Sequence, residues 1–274
     1  MKCIFNGEIV DASQVALPIN DLAVLRGYGI FDFFRLSDGV PLFVDDHLKR
    51  FYNSAQVARL PISISQTELK SLIFDLILEN QMPLSGIRMV LTGGTGAGAY
   101  AIGIPNLIVT QESIKFPSEE MYQQGVKLIT HEYLRDIPEV KTINYMTGIW
   151  LQQKIDDAGA FDVIYHHKGL VHELTRSNVF VVNADHQIIT PKDHVLLGVT
   201  RGHLLKALAN QFEVIEKELP IEHLRIAKEI FITGTTKKVL PISQIDDVAY
   251  EIGEVTQKAQ ALFKDIEQQY IGSH

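Results

Sequence analysis

Pro138-Glu139-Val140-Lys141-Thr142-Ile143-Asn144-Tyr145 is the stretch on which the reading of the whole chain turns. A lysine stands there between apolar Val140 and Ile143, after a proline and before small hydrogen-bonding residues. Most lysines lie on solvated faces. This one is hemmed in by groups that would desolvate and orient it. Desolvation lowers a lysine's pKa and leaves a nucleophilic amine, which carbonyl chemistry and Schiff bases need. Lys141 alone does not carry a function; its company elsewhere in the chain does.

Composition bounds what that company can be. The chain has 274 residues, 46% hydrophobic and 21% charged, enough for two modest domains or one large one. A net charge of -8 with no basic run disfavours a phosphate backbone as ligand, so no nucleic-acid partner is expected. The only cysteine, Cys3, excludes an intrachain disulfide and a Cys-based zinc cluster, and no metal is expected. The start, Met1 to Gly7, turns polar at once and shows no secretory signal. No run approaches about 20 uninterrupted apolar residues, so neither a membrane span nor a membrane partner is expected, and the cytoplasm is the expected compartment.

Outward from Lys141, the N-terminal part opens with a hairpin signal, Asn6-Gly7 between two short apolar runs. Arg26-Gly27-Tyr28-Gly29 precedes a strand-like run from Ile30 to Leu36. Arg26 is aimed at an anion or pairs with Asp21 or Asp32. A helix begins near Asp45, with Leu48, Phe51, Tyr52 and Ala55 on one face. His47 and Arg50, three apart, share another face, either as a solvated stripe or with Arg50 reaching inward as a phosphate clamp. Gln66 to Asn80 reads as a helix and Ile87 to Thr92 as a strand. Gly94-x-Gly96-x-x-Ala99 resembles a dinucleotide loop, but an extended run through Pro105 follows it where that loop requires a helix. A flexible hairpin loop that covers a site is the better reading. The polar, proline-containing stretch 111–122 marks the domain boundary: a small domain over 1–115, a linker over 116–122 and a larger domain over 123–274. The second part reads as a helix from Met146 to Asp157, then dense β structure from Phe161 to Thr190. A helix opened by Gly198-Val199-Thr200, a strand from Glu229 to Thr233 and a last helix from Val255 to Gln269 follow.

These scattered features explain one another if the ligand is pyridoxal phosphate. That cofactor needs an amine for its aldehyde, an anion opposite its pyridinium nitrogen, donors for its phosphate and a wall beside its ring. Lys141 can supply the amine. Glu173, in Val171-His172-Glu173-Leu174, can supply the anion, or it is an ordinary exposed strand glutamate. Gly198-Val199-Thr200 can bind phosphate through free helix N–H groups and a hydroxyl, a role that coexists with capping the helix. Gly234-Thr235-Thr236 at a strand end is a second small-residue donor loop or an ordinary turn. Arg50 would complete the phosphate site.

Six blocks together resemble the class IV, or fold type IV, aminotransferases: Arg26 to Asp32, His47-x-x-Arg50, Lys141-Thr142-x-Asn144-Tyr145, Glu173-x-x-x-Ser177-Asn178-Val179-Phe180, Leu197 to Arg201, and Gly234-Thr235-Thr236. The resemblance covers nearly the whole chain in the family's order. It implies an α+β fold, with a small N-terminal α/β domain and a larger C-terminal pseudo-barrel domain, in a homodimer acting on amino acids and 2-oxo acids. By motif, Lys141 would bond the cofactor and move the substrate proton, and Glu173 would hold the pyridine nitrogen. Arg50, Thr200, Thr235 and the Val199 backbone would bind phosphate, with Tyr145, Ser177, Asn178 and Gly198 also at the cofactor.

The run Glu173-Leu174-Thr175-Arg176-Ser177-Asn178 departs from the many relatives with small residues there. Its arginine suits a carboxylate better than a branched-chain pocket. With Arg26 it makes a second cation available. The pattern looks like an unusual branch of D-amino-acid aminotransferases that use such arginines in place of the usual carboxylate trap. Arg26, Tyr28, Phe31, Arg176, Thr235 and Thr236 are the substrate residues this implies, with D-glutamate or D-alanine as donor and 2-oxoglutarate as acceptor. A branched-chain L-amino-acid aminotransferase, with Tyr28, Phe31, Phe33 and Tyr145 lining an apolar pocket, and aminodeoxychorismate lyase are the rival readings.

Overall fold

The computed structural model describes residues 1–273. The chain divides into two compact units. The first holds Met1–Ile114, Val140–Asn144 and the residues from Tyr270 on; the second holds Lys115–Glu139 and Tyr145–Gln269. The Lys141 stretch, expected inside one continuous C-terminal domain, packs as part of the first unit.

In the first unit, β1 (Lys2–Phe5) and β2 (Glu8–Asp11) form the expected hairpin. Asn6 and Gly7 both take positive φ, as a two-residue turn between twisted strands requires. Then follow α1 (Leu22–Arg26), β3 (Gly29–Ser37), β4 (Val40–Pro41), α2 (Val44–Val57), α3 (Gln66–Asn80), β5 (Gly86–Thr92) and β6 (Leu107–Glu112). Six strands make one sheet in the order β2-β1-β6-β5-β3-β4. Helix α3 starts where its sequence dictates: Ser65 and Glu68 form a reciprocal capping box that satisfies two N–H groups. The apolar faces of α2 and α3 give Leu48, Phe51, Leu69 and Ile73 to a core shared with Phe34 and Ile87 of the sheet. Full burial contributes about 1.5–3 kcal/mol for each such side chain. Val140 is buried in this same core, which ties the lysine stretch to the first unit. The glycine-rich loop is more tightly built than expected: Thr95 and Ile104 bridge, and a Cβ at Gly96 would lie 2.0 Å from the Ala101 carbonyl oxygen.

The second unit contains α4 (Glu119–Gln124), β7 (Val126–Glu132), α5 (Met146–Trp150), α6 (Gln152–Asp157), β8 (Asp162–His167), β9 (Leu170–Leu174), β10 (Asn178–Val182) and β11 (Ile188–Thr190). It continues with α7 (Val199–Leu208), β12 (Val214–Glu216), β13 (Leu219–Pro220), α8 (Glu222–Ile226), β14 (Glu229–Gly234), β15 (Lys238–Ile245), β16 (Val248–Ala249) and α9 (Glu254–Gly272), of which the residues up to Gln269 belong to this unit. Strands β10, β14, β15, β7, β8 and β9 pair in that order, and β9 pairs back to β10 through Glu173 and Asn178. The sheet is therefore a ring, the pseudo-barrel of an α+β fold, and its closing rung is made of two residues singled out for chemistry. Buried Val179, Val181, Ile230, Ile232, Leu240 and Ile242 recur at period two along three adjacent strands and build its core.

Several elements differ from expectation, among them α4, which starts inside the stretch 116–122 expected as a linker. The helix expected over 146–157 is split at Leu151 into α5 and α6. Strand β15 is absent from the sequence-based expectation; it contains Pro241, a residue that within sheets is normally confined to edges, strand starts and bulges. Pro241 lies one residue before the pairing with β7 begins at Ile242, so the ladder to β7 starts beyond it.

Candidate active site

In the first unit the lysine stretch is held by its backbone. Phe31 N–H donates to the Lys141 carbonyl at 2.8 Å and Ile143 N–H to the Gly29 carbonyl at 3.0 Å, so residues 140–144 run beside the start of β3. This approach explains Gly29, where an added Cβ would meet Ile143 Cδ1 at 2.9 Å and the Leu91 carbonyl oxygen at 2.8 Å. Lys141 is half-buried, and its Nζ stands 4.5 Å from the centroid of the Phe31 ring. An aromatic face attracts an ammonium and fixes the direction of the side chain. Arg88, which carries no mark in the sequence, lies over the same ring at 5.6 Å while pairing with Glu112.

One residue along β3 from Phe31, Asp32 is fully buried and receives Arg50 in a two-pronged pair, Nε to Oδ2 and Nη2 to Oδ1, both 2.8 Å. His47 Nδ1 lies 2.8 Å from Asp32 Oδ1. Burial alone would raise the Asp32 carboxyl; the Arg50 charge and hydrogen bonds, with His47, outweigh it and hold the group well below the usual carboxylate range. Burial lowers His47 further than Asp32 raises it, which favours the neutral imidazole, and a neutral ring with its proton on Nδ1 donates to the carboxylate. His47 and Arg50 thus share one face as expected, and that face is buried rather than solvated. Asp32 belongs to Arg50, not to Arg26. Asp21 likewise caps α1, accepting from Ala23 N–H at 2.8 Å. Arg26 is exposed, with its guanidinium 5.6 Å from the Tyr100 ring centroid. The Tyr28 hydroxyl donates to the Ala58 carbonyl at 2.7 Å.

In the second unit, Glu173 is 5% exposed, so it is not an ordinary surface strand glutamate. Arg135 Nε donates to its Oε1 at 2.7 Å, and Leu196 N–H donates to Oε2 at 3.0 Å. Arg135 also donates to the Pro138 carbonyl. The Arg135 fork and the Leu196 N–H hold both oxygens of this buried carboxylate in place. Arg135 is missing from the residues singled out in the sequence because nothing local in Leu134-Arg135-Asp136 marks it; only the fold brings it to Glu173.

Asn178, across the closing rung, donates from Nδ2 to the Leu196 carbonyl at 2.8 Å. Its Oδ1 would lie 2.3 Å from a Cβ at Gly198, so a side chain at 198 would displace it. Gly198 is the N-cap of α7, and no side chain caps that helix; Thr200 is buried in its first turn. Leu174 N–H donates to the Ser177 carbonyl at 2.8 Å, closing a turn with Arg176 exposed on it. Ser177 Oγ is buried with no hydrogen-bond partner among the described residues, although buried hydroxyls nearly always have one. A Cβ at Gly234 would stand 3.3 Å from that Oγ, which puts the Gly234-Thr235-Thr236 turn beside it. Tyr145 is half-buried at the start of α5.

These groups fit pyridoxal phosphate. Glu173 is a fixed carboxylate for a ring nitrogen, the uncapped start of α7 carries Thr200 for a phosphate, and the orphaned Ser177 hydroxyl has hydrogen-bonding capacity to give.

Comparison with known proteins agrees. Residues 29–245 match the family model of amino-transferase class IV. The chain is 32% identical over 252 residues to a D-alanine aminotransferase of Bacillus licheniformis, covering 90% of this chain and 89% of that one. It is 29% identical to a putative branched-chain-amino-acid aminotransferase of Methanocaldococcus jannaschii, over 97% of this chain and 96% of that one. A solved branched-chain amino acid aminotransferase of T.th., with pyridoxamine 5'-phosphate, has the same fold, with a TM-score of 0.90 at 24% identity, over 99% of this chain and 96% of that one. The chain belongs to the class IV aminotransferases. It is a pyridoxal-phosphate-dependent enzyme of fold type IV that moves an amino group between amino acids and 2-oxo acids.

Proposed function

We propose that this aminotransferase works on D-amino acids, taking the amino group from D-glutamate or D-alanine and giving it to 2-oxoglutarate. The observation that carries this reading is Arg176, exposed on the tight turn that directly follows buried Glu173. An arginine fork there suits the carboxylates of an acidic substrate. The likeness to a D-alanine aminotransferase supports the same choice.

When bound, pyridoxal phosphate supplies an aldehyde that bonds amines and a protonated ring that draws electrons from the substrate's Cα. The roles proposed for this chain's residues follow. Lys141 Nζ would hold the cofactor through its amine and, once the substrate amine displaces it, would carry the proton from the substrate's Cα to the cofactor's carbon. Phe31 fixes the direction of Lys141. Glu173, held by Arg135, keeps the ring nitrogen protonated. Arg50, braced by Asp32, holds phosphate together with Thr200, Thr235 and the Val199 N–H. Tyr145, Ser177, Asn178 and Gly198 complete the cofactor's surroundings. Arg26, Tyr28, Arg176, Thr235 and Thr236 meet the substrate.

A homodimer is proposed as well, supported by Met146, Ile149 and Trp150 of α5, which are 76%, 74% and 71% exposed. Large apolar side chains exposed together mark contact surfaces. Among the described residues no helix is long and apolar enough to cross a membrane. The cytoplasm is the proposed compartment, supported by the single, buried Cys3.

The likeness to a branched-chain aminotransferase over 97% of the chain favours a second reading, with L-leucine as donor. The test is the visible spectrum of the holoenzyme, without acceptor, as D-glutamate, D-alanine, L-leucine and L-glutamate are added singly. The cofactor band is expected to shift with the D-amino acids and to stay put with L-leucine. A fast shift with L-leucine alone moves the assignment to the branched-chain enzyme. Arg176→Ala is expected to raise the KM for 2-oxoglutarate roughly tenfold or more, the loss of one charge-assisted contact. An unchanged KM removes Arg176 from the substrate.

A further inference from the structure

Lys237 is buried, 6% exposed, at the tip of the β14–β15 hairpin, directly after Thr235 and Thr236. Its carboxylate partner is Asp162 at the start of β8, with Nζ 3.8 Å from Oδ2. That Oδ2 is buried and accepts no hydrogen bond among the described residues. The other oxygen, Oδ1, is fully engaged, receiving Thr175 Oγ1–H at 2.6 Å and Val163 N–H at 2.9 Å. One carboxylate therefore reaches two turns: by hydrogen bond the turn of Thr175, Arg176 and Ser177, and by charge the tip that carries Thr235 and Thr236. The turns also meet directly. A Cβ at Gly234 would stand 3.2 Å from the Arg176 carbonyl oxygen and 3.8 Å from Lys237 Cδ.

Stability does not explain this pair. At 3.8 Å it lacks a hydrogen bond, and desolvating two charges for an imperfect contact gains nothing over an apolar pair of the same volume. Burial drives the Lys237 ammonium down to about 8, with the Asp162 charge opposing that shift and the Arg176 charge adding to it. The Phe161 ring, 5.8 Å from Nζ, is a further neighbour. Such an arrangement constrains where two segments sit.

We propose that Lys237 and Asp162 are positioning residues that lock the Thr175–Ser177 turn to the Thr235–Lys237 hairpin tip and thereby set the affinity for an acidic substrate. The substrate half of this statement rests on the proposed role of Arg176; the mechanical half does not. Neither residue touches the reacting atoms. Each acts through Thr175 and Arg176 on one side and through Thr235 and Thr236 on the other.

The experiment is a double-mutant cycle on the holoenzyme with Lys237→Met, Asp162→Asn and the pair, read in two ways. The first is the KM for 2-oxoglutarate against kcat. The second is hydrogen exchange at the Leu174 amide, whose bond to the Ser177 carbonyl reports whether the turn is closed. Each single variant is expected to raise KM about tenfold with kcat changed less, because a misplaced binding group weakens a contact without removing the chemistry. Leu174 exchange is expected to speed up about tenfold. The double variant should be no worse than the worse single one, as for residues that act as a unit. Independent, multiplying effects overturn the proposal, as does wild-type exchange at Leu174 in Lys237→Met. Faster exchange in Lys237→Met, combined with an Arg176→Ala enzyme of unchanged KM, keeps the brace and sinks only the substrate role of Arg176.

Discussion

The two units each bury an aspartate against a cation, and they do it in opposite ways. Asp32 takes two parallel bonds from Arg50 and a third from neutral His47, all at 2.8 Å. Asp162 gives one oxygen to Thr175 and a backbone N–H and leaves the other 3.8 Å from Lys237. The chemistry of the cations accounts for much of the contrast. A guanidinium is a planar fork that matches both oxygens of a carboxylate, whereas an ammonium is a point charge whose pKa yields when buried. The first arrangement is a rigid mount for Arg50. The second is a taut link between two turns.

The largest effect expected from this contrast is that of Asp32→Asn. It leaves a mostly buried Arg50 without its counter-charge, which costs about 3–5 kcal/mol at neutral pH. Urea unfolding measures this, and a loss under about 1 kcal/mol would mean that the mount is not rigid. The sign with pH is fixed as well. The Asp32 carboxyl sits lower in the folded chain than its ordinary 3.8, so its contribution is present above that value and is lost as pH falls below it. The acid side of the stability profile should therefore flatten in Asp32→Asn.

Lys237 runs the other way. Its pKa falls from 10.5 to about 8 on folding, so the penalty of the buried ammonium is complete below about 8 and is relieved as pH rises towards 10.5. Wild type should gain on Lys237→Met by up to about 3 kcal/mol over that window, since one unit is worth about 1.36 kcal/mol. Parallel urea midpoints at about pH 7.5 and about pH 10.5 in the two proteins would show an ordinary, solvated lysine instead. Smallest is His47→Asn. It removes one bond to Asp32 and the packing of the ring on Phe34, 5.5 Å away, and should cost about 1–2 kcal/mol with no new pH dependence near neutrality. A fresh dependence around pH 6–7 in wild type that vanishes in His47→Asn would show that the imidazole carries a charge after all.

The same contrast separates what is legible in the sequence from what is not. Gln66 to Asn80 is legible as a helix because period, cap and length agree. The Asn6-Gly7 hairpin is legible because few other pairs fit two positive φ angles. Lys141, Glu173 and the Gly198-Val199-Thr200 helix start stand out because their chemistry is written in adjacent residues. Asp32 is visible in the sequence as one of several candidate partners for Arg26, but the fold gives it to Arg50, 18 residues further on. Arg135, Lys237 and Asp162 carry no local sign. Their meaning comes from strands that meet only in three dimensions, and a lysine in Thr236-Lys237-Lys238 reads as surface until burial shows otherwise. Strand β15 contains Pro241, whose effect depends on where the partner strand begins.

That last strand has a temporal consequence. It pairs in parallel with β7, and Asp246, just beyond its end, receives the Thr130 N–H and hydroxyl across 116 residues of sequence. Parallel pairing over such a span closes slowly, since the entropy of a long loop must be overcome before any contact rewards it. During synthesis on a ribosome, β7 waits for this partner until β15 has emerged. The ring of strands, and with it the settled position of Glu173, therefore waits for β15.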